Sequence, residues 1–541
     1  VLENGLTILA KDSLPRDLAA IDIKIKAGSG LEGEYAGSGI SHFVEHMVFK
    51  GTKTRAAGAI EKEIKSYGGF INAAASHDLT SFTVTVPSEH LKEAISLLKD
   101  MLLNATFEKK EFEKEREVIL KEMKLNRDEP NARLSKLLYD TAYIGHPYRY
   151  PVIGYEQAFR ALKREDLIKY YNKMYVPNRI VIAVVGGIDK VDAIAAIEKE
   201  FESFKPPNYM IDLQAVEPMQ ISARRSEEGM AISLSYLAMG FHSTRLLDKD
   251  LFAMDVLSMI LGRGDNSRLN TVLFKEKEMV HSISSWNYTP KDPGLFVITA
   301  SLDKENLGSV EKAVLDEVDK LKNEGAKDDE IEAAKRMVLS DYIFSRQTLE
   351  EEASDISANE VLTGDYAFSR RYVDGVQSVS KEDLKRVANK ILRNDNLTVV
   401  RLVPASFIAY EPKAAVASTI EPTIKKEILP NGLRILVRED RKTPTISISV
   451  AMLGGLSVED KHTNGISNLT ARMLLKGTGI RKESDIEGAL ENRGGAIAPF
   501  SGFNSFGVNL TLLKPDLDFA LDILKDILRD STFPQDELGK P

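Results

Sequence analysis

The chain has 541 residues, 43% of them apolar, no cysteine, and a net charge of −9 from 72 basic and 81 acidic side chains. Its length suits roughly three or four domains, and its apolar share is enough for several packed cores, which excludes global disorder. The missing cysteine excludes disulfide scaffolds, thiolate metal sites and cysteine nucleophiles, the even spread of charge argues against nucleic acid as a partner, and no apolar run reaches the ~18 residues of a membrane span.

Leu2–Ala10, around Asn4-Gly5, reads as a strand, so any leader is expected to be absent or removed and location cannot be read from this end. Residues 20–27 alternate apolar and charged side chains, the period of a strand with one wet face. Helices are expected at 38–49 and 56–67, the second ended by Gly68-Gly69, and strands near 69–75 and 79–86. Helical periodicity dominates 88–174. Arg179–Gly186 then reads as a buried strand and 189–203 as a helix. Strands and helices mix without strict β-α-β alternation, which predicts an α+β layered domain ending near Pro206-Pro207. Residues 220–404 repeat that order, with a helix at 247–260, strands within 280–300, a long helical stretch and a last strand at Leu397–Val403. Pro404–Lys426, rich in Ala, Pro and Thr, is expected to be a linker or hinge.

Short motifs then recur. Gly39-Ile40-Ser41 returns as Gly465-Ile466-Ser467, Lys50-Gly51-Thr52 as Lys476-Gly477-Thr478, Gly68-Gly69 as Gly494-Gly495, and Thr106-Phe107 as Thr532-Phe533, each 426 residues on. Asn4-Gly5-Leu6 returns 427 residues on, as Asn431-Gly432-Leu433. A third domain is therefore expected to copy the first and to stop partway, as in a fragment of a longer protein built from two similar halves. The expected organisation is 1–205, 206–404, a linker at 405–426, and 427–541.

Two of the eight histidines lie one helical turn apart in His42-Phe43-Val44-Glu45-His46. On a helix, positions 42, 45 and 46 share a face. Two imidazoles one turn apart can hold one zinc ion, and the carboxylate between them can reach a water on the metal. A pair of core or capping histidines beside a surface glutamate is the alternative. A catalytic zinc needs a third ligand. In the acid-rich stretch 108–124, Glu115, Val118, Ile119 and Glu122 fall on one helical stripe, while Glu113 and Glu117 fall among lysines. Carboxylates on an apolar stripe are costly unless paired or metal-bound. Glu122 and Glu115 are thus candidates for a ligand and its supporting neighbour, with a buried pairing to an arginine equally open on phase alone.

The run Gly39-Ile-Ser-His-Phe-Val-Glu-His-Met-Val-Phe-Lys-Gly-Thr52 resembles the inverted zincins of the pitrilysin/insulysin family, most closely the branch of mitochondrial processing peptidase and bacterial insulinase-like proteins with tandem halves. The resemblance extends to Glu115-Arg-Glu-Val-Ile-Leu-Lys-Glu122, Gly68-Gly-Phe-Ile-Asn-Ala73 and His146-Pro-Tyr-Arg-Tyr-Pro-Val-Ile-Gly154. It implies repeated two-layer α+β domains, each a mostly antiparallel sheet packed with helices. It also implies one Zn2+ per chain on His42, His46 and Glu122, with Glu45 as general base and Glu115 orienting a ligand histidine. Asn72 would lie on the edge strand that takes the peptide substrate. Arg268, in Ser267-Arg268-Leu269, would help hold the substrate, although the tyrosine the family places 13 residues later is His281 here.

In the third domain, Asn468, Ala471 and Arg472 stand where His42, Glu45 and His46 stand in the first, so that copy reads as inactive. The resemblance implies a zinc metalloendopeptidase acting on peptides or unfolded segments inside a chamber. The alternative is a noncatalytic homologue serving as scaffold or presequence-binding subunit. Expected partners are peptide substrates, the remainder of its own second half and, as an open option, further copies of the chain. Periplasmic or otherwise extracytoplasmic and cytoplasmic locations in a bacterium are both open.

Overall fold

The apolar run at the start of the chain is interrupted by a turn. Gly5 takes a φ of +90°, the Leu6 N–H donates to Asn4 Oδ1, and the first strand, β1 (Thr7–Asp12), starts only beyond it, so the expected strand over Leu2–Ala10 is displaced toward its C-terminal end. The computed structural model describes residues 1–13, 17–206, 215–264, 266–405, 425–438, 445–460, 463, 465–491, 493, 496–502 and 504–535, in two units, Val1–Ile408 and Ala409–Pro541.

After β1 come β2 (Leu18–Ile25), α1 (Ile40–Val48), α2 (Ala59–Ser66), β3 (Phe70–Ala75) and β4 (Thr80–Pro87). Five helices follow: α3 (Leu91–Asn104), α4 (Lys109–Asp128), α5 (Pro130–Ala142), α6 (Glu156–Ala161) and α7 (Arg164–Met174). β5 (Ile180–Gly186) and α8 (Lys190–Phe201) complete the set. The sheet order is β1-β5-β2-β4-β3, antiparallel except where β1 meets β5, and β3 is an edge. Ile21, Ile23, Val84 and Ile182 point from one face into a core shared with Phe43 and Met47 of α1 and Ile119 of α4.

The pattern repeats in β6 (Arg224–Met230), β7 (Ser235–His242), α9 (Leu251–Gly262), β8 (Ser282–Tyr288), β9 (Leu295–Leu302) and α10 (Leu307–Glu324). It ends with α11 (Asp328–Phe344), α12 (Leu349–Thr363), α13 (Phe368–Gln377), α14 (Lys381–Ile391) and β10 (Leu397–Pro404). The order β6-β10-β7-β9-β8, with only β6 and β10 parallel, is the first topology again.

The two sheets exchange helices. α5 places Leu134, Leu138 and Ala142 against Ala238, Val297, Val400 and Leu402 on the outer face of the second sheet. α12 places Leu349, Ala353 and Ile356 against Ala20, Ala183 and Val185 on the outer face of the first. This explains why β5, Ile-Val-Ile-Ala-Val-Val-Gly, is buried along its whole length and does not alternate. The fully buried Asp22 accepts from Thr83 (2.7 Å) and from Ser357 of α12 (2.5 Å) and pairs with Lys24 (3.1 Å), so this buried charge is partnered and fixes α12 on the sheet.

The second unit contains a two-stranded sheet of β11 (Lys425–Ile428) and β12 (Arg434–Val437), and an antiparallel sheet in the order β13-β15-β14. These three strands are β13 (Thr445–Leu453), β14 (Ala496–Ser501) and β15 (Ser505–Leu513), packed with α15 (Ile466–Met473), α16 (Glu483–Glu491) and α17 (Leu517–Arg529). Their order matches that of β2, β4 and β3. The expected linker lies almost wholly on residues 406–424, outside the described residues, as do Gly494-Gly495. Among the described residues, no helix is long and apolar enough to cross a membrane.

Candidate metal centre

The site is built on α1. Gly39 precedes the helix at a φ of +72°, and a Cβ there would lie 2.2 Å from the Ile153 carbonyl oxygen. Only glycine lets the 149–154 loop pack so closely on the helix start. No side chain of Gly39 can cap α1. Glu32 reaches it instead, accepting the Ser41 N–H at 3.0 Å. Glu459 does the same for the Ser467 N–H in the second unit, at 2.9 Å.

One turn of α1 carries His42 and His46, whose Nε2 atoms are 3.2 Å apart. Glu122 Oε2 of α4 is 3.9 Å from His42 Nε2, and single ligand atoms of the three residues all lie within 4.8 Å of one another. Two imidazole nitrogens on a tetrahedral zinc at about 2.0–2.1 Å stand about 3.3 Å apart, so the donor set fits that ion. Glu115 Oε1 accepts from His46 Nδ1 at 3.0 Å, which fixes the tautomer that leaves the Nε2 lone pair free. Lys50 Nζ, one turn beyond His46, sits 3.0 Å from Glu115 Oε2. His42 Nδ1 is buried without a protein partner. Burial, and then the neighbouring His46, push the His42 imidazole down to about 4, so it is neutral and able to ligate at pH 7. Burial opposes a charged His46, but the Glu115 hydrogen bond and the nearby Glu45 and Glu122 raise it above its ordinary value. Glu115 is buried too, yet the hydrogen bonds from His46 and Lys50 hold its carboxyl below the usual range.

Glu45 is 7% exposed, and its Oε2 is 4.0 Å from His46 Nε2. Burial raises its carboxyl above the ordinary range; His46 opposes this, and Glu122 and Glu115 add to it. The helical stripe expected on α4 is only partly realised. Glu115 and Ile119 are buried and Glu113 and Glu117 exposed, but Val118 is 47% exposed. The buried face of the helix runs through Phe112, Glu115, Ile119, Leu120 and Met123, and Val118 lies to one side of it.

A cavity of about 830 Å³ opens over His42, Glu45, His46 and Glu122. Ala73, Ala74 and Ala75 of β3 form one wall, and Tyr139, Tyr150 and Tyr288 contribute to the others. Asn72 is exposed on the same edge strand, next to those alanines, and is not among the lining residues. Arg268 lies outside the cavity; its guanidinium makes two 2.7 Å bonds to Glu330 and one of 3.0 Å to the Gly325 carbonyl. His281 Nε2 lies 3.2 Å from Asp303. From the sequence, Lys50 has a place in the repeated Lys50-Gly51-Thr52 motif but no role at the site, and Tyr288 has neither. The spacing of Lys50 from His46, one turn, was a readable signal, but Tyr288 comes from the other sheet and left none.

In the second unit Asn468, Ala471 and Arg472 line a cavity of about 290 Å³ with Lys476, which pairs with Glu483. The His42, His46 and Glu122 group is the one cluster of metal-ligating side chains among the described residues.

Paired sheets with a His-x-x-Glu-His helix and a glutamate from a second helix define a metallopeptidase-type protein. Residues 7–156 and 434–540 match the family model "Insulinase (Peptidase family M16)", and residues 161–338 match "Peptidase M16 inactive domain". The chain belongs to this insulinase, or M16, peptidase family. It is 28% identical to an uncharacterized zinc protease of Rickettsia felis over 72% of this chain and 93% of that one. It is also 28% identical to a probable mitochondrial-processing peptidase subunit beta of Arabidopsis thaliana, over 74% and 77% of the two chains. A crystal structure of a protease from Helicobacter pylori superposes with a TM-score of 0.70 at 26% identity, covering 75% of this chain and 98% of that one. The relatives named as zinc proteases imply zinc as the metal.

Proposed function

We propose that the chain is a zinc-dependent metalloendopeptidase that binds one zinc ion and hydrolyses peptides or unfolded segments within a chamber. The observation that carries this reading is the complete set of His42, His46, Glu122 and Glu45 facing a cavity beside a sheet edge. His42, His46 and Glu122 would hold the metal, which when bound supplies a Lewis acid that lowers the pKa of water toward about 7.

The chain's own residues do the rest. The β3 edge pairs with the substrate backbone, and alanines at 73–75 leave room for a strand of any sequence beside it. Glu45, desolvated and adjacent to the ligand pair, takes the proton of the attacking water and returns it to the leaving amine nitrogen. Glu115 and Lys50 hold His46 in its ligating orientation throughout. Arg472 and Ala471 supply neither ligand nor base in the second unit.

The test is to strip the full chain with a chelator, return zinc, and follow a mixed peptide library by mass spectrometry. Cleavage that appears only after zinc returns supports the peptidase reading. A fully zinc-loaded chain that cleaves nothing would favour the scaffold or presequence-binding reading.

A further inference from the structure

The walls of the cavity carry more positive charge than its chemistry requires. Arg127, Arg133, Lys136 and Arg149 line it, against one carboxylate outside the catalytic cluster, Glu156. The protein itself neutralises part of this. Arg133 is paired with Glu228 at 2.6 Å, Lys136 with Asp140 at 2.6 Å, and Glu156 is taken up by Arg160 at 2.8 Å. Neither Arg127 nor Arg149 forms an ion pair or hydrogen bond with a carboxylate among the described residues, although Arg127 adds at longer range to the pull of Arg160 that holds the Glu156 carboxyl below its usual range. Arg127, on the turn of α4 beyond Glu122, is exposed and makes no hydrogen bond or ion pair there. Arg149 spends one nitrogen on the Ile144 carbonyl at 3.0 Å and stacks 5.5 Å from the Tyr150 ring, while its Nε is buried without a partner.

A bound zinc ion and the carboxylates of Glu45 and Glu122 cancel one another in formal charge. Two guanidiniums therefore stay without a carboxylate ion pair in a concave recess, Arg127 exposed and Arg149 partly buried, of a chain whose net charge is −9. Guanidinium forks match carboxylates in geometry, and low-dielectric walls strengthen the attraction.

We infer that the recess is a substrate subsite for acidic side chains, with Arg127 and Arg149 selecting Asp or Glu close to the scissile bond. This rests on the peptidase reading and adds a substrate class to it. A lysine at the same subsite would meet two like charges, so discrimination arises from repulsion as well as attraction.

The experiment uses the full chain with zinc and quenched peptides of one sequence, in which Glu, Gln or Lys is moved through each position flanking the cleaved bond. Wild type should show kcat/KM about tenfold or more higher for Glu than for Lys at one subsite, with the ratio shrinking as salt is raised. Arg127→Glu, at a side chain in no hydrogen bond or ion pair among the described residues, should lower or invert that ratio at unchanged zinc content and melting temperature. Arg127→Lys should keep the direction. Equal rates for Glu and Lys at every position, or a ratio untouched by both Arg127→Glu and Arg149→Gln, would overturn the inference while leaving the peptidase reading intact. If no peptide is cleaved, that reading fails, and fluorescence anisotropy of labelled Glu- and Lys-containing peptides then decides the subsite separately. Tighter binding of the Glu peptide, lost in Arg127→Glu, upholds it, and equal binding overturns it.

Discussion

Replacing Glu115 by glutamine takes one negative charge from beneath His46. In wild type one buried carboxylate accepts from two donors, His46 Nδ1 and Lys50 Nζ, both at 3.0 Å. A glutamine cannot serve both. If its oxygen faces His46, its NH2 faces the lysine ammonium. If the amide is flipped, it donates to Nδ1 and drives the ring proton onto Nε2, the atom needed by the metal. Loss of such a supporting partner costs about 10–100-fold in metal affinity, or about 1.4–2.8 kcal/mol. Lys50→Met removes only the second donor and leaves Glu115 able to accept from His46, so its loss should be smaller. The assay is competition of each variant against a chromogenic zinc chelator at neutral pH. Affinity should fall in the order wild type, Lys50→Met, Glu115→Gln. Equal affinity for wild type and Glu115→Gln would refute the claim that this pair sets the tautomer of His46.

Three further outcomes are expected. Glu122→Gln should weaken zinc binding itself, so that chelator-dependent loss of melting temperature shrinks and added zinc partly restores peptide cleavage. At Asp100, burial alone would raise the carboxyl, but hydrogen bonds from Thr52, Thr54, Asn104 and Arg55 hold it down to about 2. Its stabilisation, about 2 kcal/mol, is therefore full above the unfolded value near 4 and lost as pH falls from about 4 to 2. Asp100→Asn should lower the urea midpoint at pH 7 and flatten its pH dependence across that window. Leu349→Ala removes a side chain 6% exposed between α12 and the first sheet, and should cost roughly 2–4 kcal/mol in urea unfolding.

Local signals carried much of the architecture. Alternation placed β2 and β4, Gly68-Gly69 placed the end of α2, and the i, i+4 spacing placed His42 and His46 on one face of α1. Helical phase singled out Glu115 and Glu122 on α4 but also drew Val118 onto the buried stripe, because phase fixes a direction and not the width of the contact. Helical periodicity over 88–174 could not show that α5 leaves its own half to cover the other sheet, since an apolar face does not name its partner. Ser267-Arg268-Leu269 pointed to a substrate contact, whereas the guanidinium is held by Glu330, 62 residues on, a pairing no local pattern encodes. Arg149 and Tyr288 reach the cavity from a loop and a strand far apart in sequence, and only the fold brings them together.

The most direct test of the assignment compares wild-type full chain with Glu45→Gln at equal, measured zinc content. Glutamine keeps the size and hydrogen bonding of the side chain but cannot take a proton. Zinc content, melting temperature and peptide affinity should stay close to wild type, and turnover of a cleaved peptide should drop at least about 10²-fold, the low end for general acid–base catalysis. Wild-type turnover from Glu45→Gln would contradict the role given to Glu45 and with it the reading of this site as a peptidase centre.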